Sequence, residues 1–186
     1  IVGAGISGIS MAHQIGKDHP GLSYLVLENR ERIGGTWDLF RYPGIRSDSG
    51  MGTFAFSFRP WTGEKHFGQG PEIRDYLEET AVEFGIDRHI RYRRRVAAAD
   101  WDSETARWTI TVEHSGSPTE SNGKPTNGSG KPTSESGTPV TSQISCRFLI
   151  GCTGYYRYER GFTPHFEGEE SFGGELFHTQ HWPEGL

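Results

Sequence analysis

The apolar positions at the start of this chain predict a strand, a helix and a second strand in succession. Ile1-Val2 is a short apolar run, and the apolar residues after it recur with the spacing of one helix face, at Ile6, Ile9, Ala12 and Ile15. Residues 18–21 (Asp-His-Pro-Gly) end this helix. Residues 24–27 are continuously apolar, which is typical of a central parallel strand that is buried on both faces.

Further along the chain, the pattern predicts one more helix and a group of short strands. Phe54, Phe56 and Phe58 alternate with small or polar residues, which predicts a half-buried extended segment. Gly70-Pro71 is suited to the start of an amphipathic helix, which Gly85 ends. Short strands are then expected over residues 90–92, 95–101, 107–113 and 143–150.

Residues 114–142 differ in kind from the rest of the chain. They consist almost entirely of Ser, Thr, Gly, Pro, Asn, Glu and Lys, and their four prolines fall seven residues apart. This composition cannot supply a packed core, so we expect a disordered low-complexity insertion between two strands.

Composition and charge narrow the classes of function. The net charge is −5, so nothing points to a nucleic-acid partner. No apolar run approaches the roughly 20 residues of a membrane span. The mean hydropathy of −0.63 is low for a folded α/β protein, but the polar insertion lowers it. Cys146 and Cys152 are expected to be reduced core residues, which favours a cytoplasmic location.

The first candidate chemistry lies where the first strand meets the first helix. Gly3, Gly5 and Gly8 have the G-x-G-x-x-G spacing of a dinucleotide-binding turn: the first permits the turn, the second lets backbone approach a pyrophosphate, and the third lets helix and strand pack closely. Glu28 ends the second strand, twenty residues after Gly8. At this spacing a carboxylate binds an adenosine ribose. Its charge would repel a 2′-phosphate, so this site should hold FAD or NAD rather than NADP.

Four other segments carry weaker signals. Residues 34–48 combine paired glycines with aromatic and charged side chains, which is unusual for a mere connector, and residues 151–155 again place Gly after a strand. The arginines at 91, 93, 94 and 95 favour the solvated side of a strand over an anion site. His178 and His181 lack a Cys or carboxylate cluster at ligand spacing, so we expect no metal site.

Together these segments resemble the class B flavoprotein monooxygenases of the Baeyer–Villiger type, and within them the ethionamide-activating subgroup. The opening glycines with Glu28 are similar to the family's FAD site, and residues 34–48 match its motif G-G-x-W-x-x-x-R-[YF]-P-G-x-x-x-D. Residues 172–183 match the family motif F-x-G-x-x-x-H-x-x-x-W-P. The resemblance implies an α/β fold: a Rossmann-like FAD-binding domain with a central parallel sheet, flanking helices and a small antiparallel β-meander.

The resemblance also implies roles for particular residues. The catalytic roles fall to Asp48, beside the isoalloxazine, and to His178, in the link between domains. The residues implied in cofactor binding, for FAD and in part for NADPH, are Gly3, Gly5, Ser7, Gly8, Glu28, Gly35, Thr36, Trp37, Asp38, Leu39, Arg46, Ser47, Asp48 and Val96. Residues 1–171 would form the FAD-binding domain, and residues 172–186 a linker toward an NADP-binding domain. On this reading the chain is the N-terminal part of a longer flavoprotein with two dinucleotide-binding domains.

The implied reaction uses NADPH and O2 to insert one oxygen atom into a small-molecule ketone, giving an ester or lactone through a C4a-peroxyflavin. Oxygenation of the nitrogen or sulfur of an amine or sulfide is the alternative within the same chemistry. A catalytically incomplete FAD-binding fragment is the alternative from another class. A disulfide reductase is disfavoured, because no Cys precedes Cys146.

Overall fold

A computed structural model describes residues 1–114, 140–183 and 185. Its helices are α1 (Ile6–Asp18), α2 (Thr36–Leu39), α3 (Met51–Phe54) and α4 (Gly70–Glu83). Its strands are β1 (Val26–Leu27), β2 (Ile90–Arg91), β3 (Arg94–Asp102), β4 (Arg107–His114) and β5 (Val140–Cys146). Single turns of 3-10 helix cover Asp87–His89, Glu169–Ser171 and Thr179–His181.

The parallel sheet runs β2, β1, then Val2, then Gly151. β1 pairs in parallel with β2, and Val2 forms parallel bridges with Leu27 on one side and Gly151 on the other. The Val2 amide donates to the Ile150 carbonyl at 2.9 Å, and the Val2 carbonyl accepts from the Cys152 amide at 2.8 Å. Because neighbouring segments run in parallel, the turn after Val2, the residue after β1 and the turn after Gly151 meet at one edge of the sheet.

The second layer is the predicted antiparallel meander. β4 lies between β3 and β5, and the β3–β4 pairing shifts at Ala97, between Val96 and Ala98. The expected insertion over residues 114–142 is too long at both ends. His114 ends β4 and pairs with Val140, which begins β5. Residues 115–139 of that expected insertion lie outside the described residues.

Helices α1 and α4 supply the core beside the parallel sheet. Their predicted apolar faces are buried: Ile9 and Ala12 on α1, and Ile73 and Leu77 on α4, are each no more than 1% exposed. Helix α4 begins with a reciprocal capping box. The Gln69 side chain accepts the backbone N–H of Glu72, and the Glu72 side chain accepts the backbone N–H of Gln69. The end of the predicted helix at Gly85 agrees with its left-handed φ of 64°.

Three local expectations need correction. Phe54 ends the helical turn α3, so the three phenylalanines do not share one extended segment, although Phe56 and Phe58 do stack. β5 ends at Cys146, because the chain leaves the meander there to place Ile150 against Val2 in the parallel sheet. Both cysteines are free thiols as expected, but they are only half-buried and lie at the rim of the core.

In the part of the chain that the structure describes, no helix is both long enough and apolar enough to cross a membrane.

Candidate functional site

The glycine turns after Val2 and before α2 form what we call the glycine cradle, defined as Gly3, Gly5, Gly8, Gly34 and Gly35. Gly3 has a φ of 103°, and a Cβ there would overlap the Cys152 carbonyl. A Cβ on Gly8 would overlap the Gly3 carbonyl, so α1 packs on the strand end at a distance that only glycine permits. The backbone therefore needs glycine at position 3 for the turn and at position 8 for the close packing of helix and strand, as expected.

The two glycine turns face one another across the cradle. The Gly34 amide donates to the Ala4 carbonyl at 3.1 Å, and a Cβ on Gly35 would lie 3.2 Å from the Cα of Gly5. Gly5 is the N-cap of α1 and supplies no side chain to cap the helix. Backbone N–H groups at the start of α1 are thus left for an anion, as a pyrophosphate site requires.

Glu28 lies beside this turn and is only 6% exposed. Its Oε2 accepts the Ala4 backbone N–H at 2.7 Å, and its Oε1 accepts the Arg30 backbone N–H at 2.8 Å. These bonds hold the carboxylate at the carboxyl end of β1, directly against the first glycine turn. Each oxygen keeps a further lone pair, so the group can still accept a hydroxyl while fixing the shape of the turn.

Asp38 joins α2 to the segment after β1. Its Oδ2 accepts from the Nη2 of Arg30 at 2.6 Å and from its Nε at 3.0 Å, and the carboxylate is 3% exposed. Arg41 stands 3.6 Å from Oδ1, too far for a hydrogen bond, and Oδ1 is buried without a hydrogen-bond partner in the described residues. A buried carboxylate oxygen of this kind is costly unless a donor reaches it.

A cleft of about 550 Å³ opens beside the cradle. Its lining includes Arg30, Leu39 and Tyr158 together with residues 180–183 of the C-terminal motif. The Arg30 guanidinium lies 5.9 Å from the centre of the Tyr158 ring. Burial raises the pKa of the Tyr158 phenol, and the negative charge of Glu28 raises it further.

The other predicted site residues occupy three separate places. Ser47 is buried and donates its hydroxyl to the Ser49 carbonyl at 2.7 Å, whereas Arg46 and Asp48 on either side of it are exposed. Val96 is half-buried in the meander, and His178 caps the 3-10 turn Thr179–His181. Within the described residues, no hydrogen bond connects Asp48, Val96 or His178 to the glycine cradle.

The remaining predicted residues lie at the cradle itself. Ser7 is exposed on the first turn of α1. Thr36 and Trp37 are half-buried at the start of α2, and Leu39 is buried at its end. Among the described residues, no group of three or more His, Cys, Asp or Glu could hold a metal ion.

Three residues at the site were not singled out by the sequence: Arg30, Tyr158 and Gln180. Arg30 follows Glu28 by two positions, so its place near the cradle could have been found from that spacing. Tyr158 and Gln180 are more than twenty residues apart and come together only in three dimensions. Nothing in their local sequence distinguishes them from their neighbours.

Comparison with known proteins supports the interpretation of the cradle. Residues 1–80 match the family model described as "NAD(P)-binding Rossmann-like domain". The chain is 48% identical, over all 186 residues, to 33% of the FAD-containing monooxygenase EthA of Mycolicibacterium smegmatis. It therefore spans about a third of the length of this curated relative.

Two solved structures share the fold over nearly the whole chain. One is OTEMO in complex with FAD and NADP, with a TM-score of 0.70 and 29% identity over 99% of this chain and 30% of that one. The other is the open form of cyclohexanone monooxygenase, with a TM-score of 0.74 and 25% identity over 100% of this chain and 32% of that one. By sequence and by fold, this chain is similar to about a third of the length of an FAD-containing monooxygenase and of a cyclohexanone monooxygenase.

Proposed function

We propose that this chain is the FAD-binding part of an FAD- and NADPH-dependent monooxygenase that inserts one oxygen atom from O2 into a small-molecule ketone. The observation that carries the proposal is the buried Glu28 carboxylate, held at the end of β1 by the Ala4 N–H of the glycine turn. A carboxylate in that place binds the ribose of an adenine dinucleotide and repels a 2′-phosphate. This argues against NADPH in the first site, and the family motif over residues 34–48 favours FAD over NAD as its occupant, so NADPH would belong to a second site.

The residues present fit a bound FAD. The uncapped start of α1, with Ser7 exposed on its first turn, would hold the pyrophosphate. The unpartnered Oδ1 of Asp38 provides one acceptor for a cofactor donor on the α2 side. When bound and reduced, the flavin supplies the oxygen-activating chemistry, and this chain orients it.

Roles for the remaining predicted residues follow the same proposal. Thr36, Trp37 and Leu39 would pass along the flavin, and Val96 would contact the adenine end through its backbone. Asp48, which is exposed, would lie beside the isoalloxazine, and Arg46 and Ser47 would lie near the nicotinamide cofactor. Residues 1–171 would form the FAD-binding domain, with residues 172–186 leading to an NADP-binding domain.

FAD binding by the full chain tests the first part of the proposal. Titration of FAD, followed by quenching of flavin fluorescence, should reach saturation with one FAD per chain. Glu28→Ala should weaken the binding, because it removes the ribose acceptor and frees the glycine turn. Unchanged occupancy in this variant would remove the ribose role of Glu28.

The oxygenation is tested in the longer enzyme with NADPH, O2 and a panel of ketones, sulfides and amines, followed by product analysis. Esters or lactones from ketones would support the Baeyer–Villiger reaction, whereas oxides formed only from sulfides and amines would favour the alternative. Asp48→Ala should lower NADPH-driven oxygenation while FAD stays bound. His178→Ala should affect turnover or its coupling more than FAD binding.

The expected partners are the small-molecule substrate and O2, with no nucleic acid, and we expect the protein in the cytoplasm. The two free thiols, Cys146 and Cys152, agree with a reducing compartment. Fractionation of cells that express the longer protein would test this location.

A further inference from the structure

The side chain of Gln180 ties the C-terminal motif to the backbone segment that carries Tyr158. Its carboxamide nitrogen donates to the carbonyl oxygens of Arg157 and Tyr158, each at 2.9 Å, and the residue is 7% exposed. Both hydrogens of the amide are therefore used on two consecutive carbonyls. A two-point contact of this kind fixes the direction of the backbone that carries Tyr158.

His178 sets the place of Gln180. Its Nδ1 accepts the Gln180 backbone N–H at 3.1 Å, which caps the 3-10 turn Thr179–His181. The His178 ring packs where a Cβ on Gly161 would lie, so only glycine allows it to sit there. His178, Gln180 and the 157–161 segment thus form one packed unit.

Tyr158 carries this unit to the cradle. Its hydroxyl lies 3.7 Å from the position of a Cβ on Gly35 and 3.8 Å from that of a Cβ on Gly154. Its ring stands beside the Arg30 guanidinium, which in turn binds Asp38. The phenol therefore lies against Gly35 of the cradle.

We infer that Tyr158 forms a wall of the FAD site and that Gln180 is the positioning residue that holds it there, so that the C-terminal motif and FAD affinity are coupled. The inference rests on the proposed FAD site. The coupling runs through the side-chain amide of Gln180 and the carbonyls of Arg157 and Tyr158. A substitution at Gln180 should therefore change the FAD affinity only through its effect on Tyr158.

A double-mutant cycle on the full chain tests this coupling. The variants are Gln180→Leu, Tyr158→Ala and the double variant, with Thr179→Ala as the control, since Thr179 is the exposed neighbour in the same turn. The FAD dissociation constant is measured by quenching of flavin fluorescence, and the stability of the FAD-free chain by urea unfolding.

Gln180→Leu should raise the FAD dissociation constant about tenfold, since it removes two hydrogen bonds that order the site. In the Tyr158→Ala background the same change should raise it less than twofold, because the wall is already gone. The control should bind FAD like the parent chain. Gln180→Glu, which keeps the side-chain size but turns a carboxylate toward two carbonyls, should weaken binding at least as much as Gln180→Leu.

The outcomes separate this inference from the proposed function. If the parent chain does not bind FAD at all, the proposed function fails. If the parent binds FAD but Gln180→Leu lowers only the stability of the FAD-free chain, Gln180 has a structural role alone and the inference is overturned. Equal effects of Gln180→Leu with and without Tyr158 would also overturn it.

Discussion

Replacement of Glu28 by Gln tests how the fold and the cofactor site depend on one carboxylate. The two oxygens accept backbone N–H groups at 2.7 and 2.8 Å in a site that is 6% exposed. Hydrogen bonds to a charged group contribute about 1.5–3 kcal/mol each, and neutral ones about 0.5–1.5 kcal/mol. In Gln, the amide oxygen still accepts one of these N–H groups in a neutral hydrogen bond. Its NH2 group faces the other N–H and cannot accept it.

The variant should therefore lose about 3 kcal/mol of unfolding free energy, since it loses one charged bond, weakens the second and leaves a buried donor unpaired. Urea unfolding of the full chain, monitored by far-UV circular dichroism, measures this loss, and FAD titration should show about tenfold weaker binding.

The matched control is Glu31→Gln, three residues further along. The Glu31 side chain is 70% exposed and pairs with Arg93 at the surface, so its loss should change neither measurement appreciably. If Glu28→Gln unfolds at the same urea concentration as Glu31→Gln and binds FAD equally well, then the carboxylate neither holds the glycine turn nor contacts the cofactor, and the reasoning is refuted.

Three further changes have expected outcomes of their own. Gly8→Ala should lower the unfolding free energy by about 2 kcal/mol or more, because its Cβ would overlap backbone, whereas Gly16→Ala on the same helix meets no atom within 4 Å and should raise it by about 0.5–1 kcal/mol; equal urea midpoints would contradict this. Tyr76→Phe should cost about 1–3 kcal/mol in the same assay, because it leaves the buried backbone N–H of Phe56 unpaired, and a parent-like midpoint would argue against that bond. Burial raises the pKa of Tyr92 to about 12 from an ordinary 10.0, so the unfolded chain loses this proton first and stability falls between about pH 10 and pH 12. Tyr92→Phe should reduce that fall, measured by unfolding at both pH values, while Tyr155→Phe, whose ring is 86% exposed, should not.

Local patterns were sufficient for the regular elements because each is determined by neighbours in the chain. The apolar spacing of α1 and α4, the capping residues around Gly70-Pro71 and the turn between β3 and β4 all act within a few residues. The errors fell where a tertiary contact decides the path. Phe54 turns into α3, and the chain leaves β5 at Cys146 to reach the parallel sheet.

The same division holds for the candidate site. The glycine spacing and Glu28 are separated by a β-α-β unit of fixed geometry, so their meeting follows from local sequence. Arg30 binding Asp38, and Gln180 holding the backbone of Tyr158, depend on segments that are 8 and 22 residues apart and are brought together by packing.

By itself, the sequence determined a glycine turn of the dinucleotide-binding type, the carboxylate beside it and the family that the chain resembles, because these depend on residue type at short, fixed spacing. Only the tertiary structure decided that one buried amide of the C-terminal motif holds the backbone of Tyr158, whose phenol lies against Gly35 of the cradle. The physical reason is that Gln180 has no local signature: its two donors acquire a role only when folding places two carbonyls within 2.9 Å of them and removes the water that would otherwise bind there.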